Sequence, residues 1–282
     1  MLLGVNVPNF GPGTDPATLR SWAQTVEGLG YGLLMVSDHV AITPDVAEQY
    51  PAPFYEPFTT LSYLAGLTTR VRLGTTVLIA PYRHPLLVAR MAANLNQLSG
   101  GRFVLGVGVG WARQEFEALG VPFERRGRLT DEHIKAVRAA WDNEYDYRSG
   151  PLPIWIGGNS DAALRRAVLL GDAWHPLRFT LPWLDEALDR LLRIADENDR
   201  PVPILAPRIV LRLTDKRITG PDRKAGEGTI DQVMDDLEQL RRLGAESVVL
   251  DPFSGDPEET LRPEPAWQAL ATVAANAHMQ PK

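Results

Sequence analysis

Residues 103–120 read FVLGVGVGWARQEFEALG. An apolar, β-branched run passes into glycines at alternating positions, then a tryptophan, then a polar segment of helical character. A strand that ends in glycines before a helix suggests a dinucleotide-binding turn, which needs G-x-G-x-x-G so that the backbone can approach a pyrophosphate. The spacing does not fit. Gly106, Gly108 and Gly110 form G-x-G-x-G, and Trp111 stands where the third glycine belongs. Two readings of the glycines stay open on spacing. They make room for a flat ring against the backbone at the mouth of a barrel, or they permit close helix–strand packing or a bulge.

Outward from this stretch, short apolar runs alternate with helical patterns. Strands are expected over 2–7, 33–37, 71–78, 103–109, 153–156, 173–175, 203–211 and 247–250. Helices are expected over 16–29, 57–68, 85–98, 131–141, 161–170, 182–198, 230–243 and 258–275. Eight β/α pairs predict a (β/α)8 TIM barrel, a single domain over 1–282, with its active site at the C-terminal face of the strands. Glycines close several of the helices, and Thr130-Asp131-Glu132 is read as the opening of the fourth. Two connections exceed plain loops, 39–56 with Tyr50, Phe54 and Tyr55, and 212–228 with Arg212, Lys216, Arg217, Arg223 and Lys224. Both follow strands and so belong to the C-terminal face.

The 282 residues include no cysteine, which excludes disulfides, thiolate catalysis and cysteine metal sites. A formal net charge of −6 argues against a nucleic-acid surface. No segment approaches the roughly 18 apolar residues of a membrane helix, and the first residues read as a strand rather than a signal peptide. A cytoplasmic enzyme without membrane or nucleic-acid partners is expected.

The strand ends supply the candidates for chemistry. Ser37-Asp38-His39 ends the second strand, Thr75-Thr76-Val77-Leu78-Ile79 the third, Gly157-Gly158-Asn159-Ser160 the fifth, and Trp174-His175 the sixth. The turn at 157–160 opens a helix, so its N–H groups with the Asn and Ser side chains form an anion site or an ordinary capped turn. Arg165 and Arg166 could add positive charge there. His39, His84 and His175 all project to the same mouth, which favours an acid–base role for one of them, while His133 reads as a solvated surface residue. Asp38 and His39 are adjacent on a strand and point opposite ways, so they form no dyad with each other. No histidine spacing recommends a metal site.

Ser37-Asp38-His39, Arg70-Val71-Arg72-Leu73-Gly74-Thr75, Leu98-Ser99-Gly100-Gly101-Arg102, GVGVGW over 106–111 and Trp155-Ile156-Gly157-Gly158 together resemble the bacterial luciferase-like superfamily. Within it, Glu115-Phe116, Gly120-Val121-Pro122-Phe123 and Arg125-Arg126-Gly127-Arg128 make the chain similar to the coenzyme F420-dependent oxidoreductases. The resemblance implies a hydride transfer between the deazaflavin and a small organic substrate, with His39 as proton donor or acceptor. It places Asp38 beside the ring and matches Thr76-Val77 to a non-prolyl cis peptide that backs it. Ile79, Val109, Gly110, Trp111 and Gln114 would line the ring and ribityl chain, so that the glycines seat the ring, and Gly157, Gly158, Asn159 and Ser160 would hold the phosphate. Tyr50, Phe54, His84, Trp174 and His175 are expected around the substrate, and the assembly is expected to be a homodimer. The alternatives are an FMN-dependent monooxygenase using O2 and a coenzyme-binding protein without turnover. The segment 142–152 is shorter than the family often carries, which bears on how the pocket closes. Two readings of the basic loop 212–228 stay open: it is mobile without ligand and orders over the mouth against the polyglutamate tail of F420, or it is a solvated loop with no partner.

Overall fold

Leucine- and valine-rich runs covered on both faces make buried parallel strands. The computed structural model describes residues 1–144 and 152–279. Its strands are β1 (Leu2–Asn6), β2 (Leu33–Val36), β3 (Arg72–Thr75), β4 (Leu78–Ile79), β5 (Phe103–Gly108), β6 (Ile154–Gly157), β7 (Ala173–His175), β8 (Ile204–Leu205), β9 (Arg208–Val210), β10 (Arg212–Leu213), β11 (Glu227–Gly228) and β12 (Ser247–Asp251). The main sheet runs β8-β7-β6-β5-β3-β2-β1-β12-β9, and β4 pairs with β5. Neighbours along the path are parallel. β8 and β9 are pieces of one segment, separated only by Ala206 and Pro207, so the two ends of the sheet meet and the expected eight-stranded barrel closes.

Two expected strands are interrupted. The third breaks at Thr76-Val77, whose peptide is cis. The seventh breaks at Pro207, which has no N–H for a ladder.

The helices are α1 (Pro16–Gly28), α2 (Pro44–Ala47), α3 (Pro57–Ala65), α4 (Pro85–Leu98), α5 (Arg113–Ala118), α6 (Arg126–Ala139), α7 (Asp161–Leu170), α8 (Leu181–Glu197), α9 (Ile230–Arg242) and α10 (Glu264–Asn276). Proline at the first turn and a side-chain cap start several of them, as with Asp15 before α1 and Thr180 before α8. The opening expected at Thr130-Asp131-Glu132 is instead inside α6. A 3-10 turn at Phe123–Arg125 runs straight into that helix, Thr130 Oγ1 donates back to the Arg126 carbonyl at 2.8 Å, and Asp131 pairs with Arg166. The last helix starts later than expected, because a 3-10 turn at Pro257–Leu261 and Pro263 precede α10.

The core has two parts. The larger lies between sheet and helices, with Leu34, Leu61, Leu73, Ile156 and Trp174 among its buried members. The smaller fills the barrel interior with Leu33, Met35, Val104, Trp155, Ala173, Ala206 and Val249. Above this apolar floor, the next inward positions toward the strands' C-terminal ends are polar: Asn6, His175, Arg208 and Asp251, all buried.

The long loops have structure of their own. Loop 39–56 carries α2, and loop 212–228 returns so that β10 and β11 pair in parallel. Arg223 forms bonds of 2.5 and 2.9 Å with Asp236 of α9, and the Gln232 side chain bonds both the N–H and the carbonyl of Ile218. The loop expected to be mobile is therefore tied to α9, and one of its cations is already paired. Most of the segment 142–152 lies outside the described residues.

Candidate active site

His39 follows β2 at the barrel mouth, with only 5% of its surface exposed. Its Nδ1–H donates to Glu115 Oε2 at 2.6 Å. Glu115 comes from α5, shortly after the glycines at 106–110, and is fully buried. The Tyr82 hydroxyl donates to the same oxygen at 2.9 Å, while the Val40 and Ala41 N–H groups donate to Oε1 at 2.6 and 3.0 Å. Burial pushes the Glu115 carboxyl up, but the His39 bond and the two backbone donors outweigh it and hold the pKa below the usual carboxylate range. Burial and the neighbouring Glu115 push the Tyr82 phenol up, so it stays a neutral donor. An ionised Glu115 fixes the proton on Nδ1 of His39 and leaves Nε2 for chemistry.

Aromatic rings surround this imidazole. Tyr50 stacks on it at 5.3 Å, and Phe54 and Trp111 meet it edge-on at 5.5 and 5.7 Å. Phe10 lies 4.9 Å from Tyr50 and 5.7 Å from Phe54, and Phe253 lies 4.9 Å from Phe10. The side chain of Asp38 points away from His39, as adjacency on a strand requires. It takes two bonds from Arg83, at 2.7 and 2.8 Å, and one from the Ile79 N–H at 2.9 Å. Arg83 also reaches Glu56 at 3.1 Å, which caps α3.

The glycines of the opening stretch answer to the bulge between β3 and β4. A Cβ on Gly108 would fall 2.4 Å from Val77, one on Gly157 2.8 Å from Val77, and one on Gly106 2.0 Å from the Thr75 carbonyl. Gly108 and Gly157 make way for the half-buried Val77 side chain and Gly106 for the Thr75 carbonyl, so the packing reading holds for Gly106 and Gly108. Gly110 has φ +77 and packs against Ile79 and Phe116. Arg208 spans the barrel to hold this bulge, donating to the Thr76 carbonyl at 2.9 Å while Asp251 binds its guanidinium at 2.5 and 3.0 Å. Asn6 donates to Asp251 at 3.0 Å. The Thr76 hydroxyl meets His175 Nε2 at 2.8 Å.

Three residues expected around the substrate sit elsewhere. His175 donates from Nδ1 to the Ala206 carbonyl and is fully enclosed; burial pushes its pKa down to about 4, so it is a neutral core group. Trp174, one residue earlier on the strand, faces the helices and donates to the Gly158 carbonyl at 2.9 Å. His84 is an exposed cap, its Nδ1 accepting from the Leu86 N–H at the start of α4. His133 is half-buried rather than solvated and donates to the Ala80 carbonyl at 2.7 Å. Tyr50 and Phe54, by contrast, do lie at His39.

The turn after β6 opens α7. The Asn159 side chain is spent on the Leu177 backbone, at 2.7 and 3.0 Å, and Ser160 caps the helix through Ala163 N–H. Arg166 turns away to Asp131. What the turn offers an anion is therefore backbone, with Gly158 at φ +117, and the first N–H groups of a ten-residue helix. Val109 and Gly110 are half-buried near the mouth, while Trp111 and the Gln114 side chain are exposed beside it. Sequence reasoning missed the roles of Tyr82, Arg83, Phe10, Arg208, Asp251 and Phe253. Phe10 and Phe253 each closely follow a strand end, in V-P-N-F and L-D-P-F, which is the one local signal they carry. Among the described residues no group of three or more His, Cys, Asp or Glu is placed to hold a metal ion, and no helix is long and apolar enough to cross a membrane.

Residues 1–216 match the family model described as luciferase-like monooxygenase. An uncharacterised protein of Mycobacterium tuberculosis is 31% identical over 240 residues, covering 75% of this chain and 82% of that one. The phthiodiolone/phenolphthiodiolone dimycocerosates ketoreductase of the same organism is 29% identical over 258 residues, covering 79% of this chain and 66% of that one. In structure, an F420-dependent secondary alcohol dehydrogenase in complex with an F420-acetone adduct has a TM-score of 0.75 at 15% identity, over 96% of this chain and 98% of that one. The oxygenating constituent of 3,6-diketocamphane monooxygenase from Pseudomonas putida, in complex with FMN, has a TM-score of 0.75 at 16% identity, over 97% and 96%.

Proposed function

The chain belongs to the luciferase-like monooxygenase family, and on that premise we propose that it is a coenzyme F420-dependent oxidoreductase in which His39 handles the proton that accompanies hydride transfer. The observation that carries this reading is the buried His39–Glu115 pair at the barrel mouth, with one imidazole nitrogen fixed and the other left for a substrate oxygen. The ketoreductase relative and the F420-dependent structural neighbour support a carbonyl–alcohol conversion.

The residues suit a deazaflavin. Val77 and Ile79 present an apolar floor, Trp111 an exposed indole beside it, and the α7 N-terminus with Gly157 and Gly158 a backbone cradle for a phosphate. Bound F420 supplies the two-electron hydride donor or acceptor. The protein supplies the rest. Glu115 holds the His39 ring and stabilises the imidazolium when Nε2 takes a proton from a substrate hydroxyl; in the reverse direction Nε2–H protonates a carbonyl oxygen. The aromatic rings exclude water from that proton. Lys216 and Arg217 are exposed on loop 212–228 and would attract the acidic tail of F420. The reading extends to a cytoplasmic homodimer.

Separate fluorescence titrations with F420 and with FMN test it. Micromolar F420 binding with weaker FMN binding, followed by substrate-dependent change in F420 absorbance, is the expected result. Tight FMN binding with O2 consumption would replace it by the monooxygenase reading, and tight binding without any turnover by the carrier reading.

A further inference from the structure

The rings around His39 carry information about what the site accepts. Tyr50 covers one face of the imidazole, Phe54 and Trp111 present edges to it, and Phe10 and Phe253 close the cluster behind them. The ionised groups that reach this shell are already paired. Glu115 has four donors, Asp38 two bonds to Arg83, and Asp251 the Arg208 guanidinium. An anionic substrate placed here would lose its water without gaining a cation, which costs several kcal/mol in an apolar site.

An open groove adjoins this shell at Phe253. It has a volume of about 490 Å³, within the roughly 300–1,000 Å³ of a drug-sized cleft, and Phe253 and Asp251 form part of its wall. Its rim carries Glu227, Asp256, Glu258 and Glu259 against Arg212 and Arg262. A local excess of carboxylates lowers the concentration of anions in this groove. Trp111 is 46% exposed and Val40 46% exposed, so the open side of the cluster is itself an aromatic and aliphatic rim.

We infer that the substrate of this site is a non-anionic molecule with a flat or alicyclic ring attached at its carbonyl or hydroxyl carbon, and that phosphate esters and carboxylates are rejected. The inference rests on the reading of His39 as the proton-handling group.

Calorimetric titration of the purified chain, without cofactor, with two ligands of one shape tests it: 2-acetylnaphthalene and 2-naphthoate. The neutral ketone should bind at least tenfold tighter than the carboxylate. Trp111→Ala should weaken the ketone several-fold, and Phe54→Arg should shift preference toward naphthoate by tenfold or more. Equal or tighter binding of naphthoate, or no binding by either, overturns the inference. Because no cofactor is present, the outcome is separable from the F420 titration. Failure of F420 to bind with the ketone preference intact removes the reaction and leaves the selectivity. F420 binding with a reversed preference removes the selectivity alone.

Discussion

At the scale of single residues, the site depends on a carboxylate that makes no use of solvent. Glu115 satisfies four donors at once, and each of them would lose its partner without it. Glu115→Gln keeps the volume but removes the charge and forces an amide N–H toward at least one donor. It should lower kcat by about 10²-fold or more with cofactor affinity little changed, because the ring nitrogen that should carry the proton is no longer specified. Steady-state kinetics beside a cofactor titration separates the two effects. His39→Ala should preserve the fold and cofactor affinity and lower turnover by about 10²–10⁴-fold. Wild-type turnover in that variant would make His39 a wall residue, and neither His84 nor His175 is placed to replace it, since one is an exposed cap and the other is enclosed. The role of Glu115 was half-legible: the sequence places it five residues past Gly110, but only the fold aims it at β2.

At the scale of elements, the bulge between β3 and β4 and the glycines of β5 and β6 are one unit. Gly108→Ala puts a Cβ 2.4 Å from a Val77 methyl, so either that side chain or the strand must move. A loss of about 1–3 kcal/mol is expected, the usual cost of overpacking. Val77→Ala removes the methyl and should restore part of that loss in the double variant. Gly106→Ala meets the Thr75 carbonyl at 2.0 Å instead, so Val77→Ala should not rescue it. Urea denaturation of the three single and two double variants checks both statements, and full additivity of Gly108→Ala with Val77→Ala would show that the two positions do not meet. The G-x-G-x-G spacing left a ring seat and a close approach equally open, because a strand sequence does not name what crosses above it.

At the scale of the whole molecule, a polar layer caps the barrel interior. His175, Thr76, Arg208, Asp251 and Asn6 link residues from five regions of the chain across the mouth. His175 makes this layer pH-dependent. Its ordinary pKa of 6.5 is pushed by burial down to about 4 in the folded protein. Above pH 6.5 the ring is neutral in both states and its full contribution is present. As the pH falls from 6.5 toward 4, the unfolded chain binds a proton that the folded chain refuses, and up to about 3 kcal/mol of stability is lost. His175→Gln should flatten the dependence of the urea midpoint on pH over that window, whatever its effect at neutral pH. Equal slopes in the two proteins would place the sensitivity elsewhere.

The order of apolar runs, prolines and caps was enough to specify an eight-fold β/α barrel, because period-2 and period-3.6 patterns are local and each strand is buried on both faces. The same locality put His39, Tyr50 and Phe54 near the mouth, since strand ends and the loops after them share one face of a barrel. What only the tertiary structure decided is which of those groups meet. Glu115 reaches His39 across 76 positions, and Arg208 reaches Thr76 across 132. Neither distance leaves a periodic trace. Whether Trp174 or His175 faces the interior turns on register, because one residue of slip exchanges the two faces of a strand. The charges are decided in the same way. Arg166, Arg223 and Asp38 look available in the sequence and are paired in the fold with Asp131, Asp236 and Arg83, because burying an ion requires a partner that sequence spacing does not reveal.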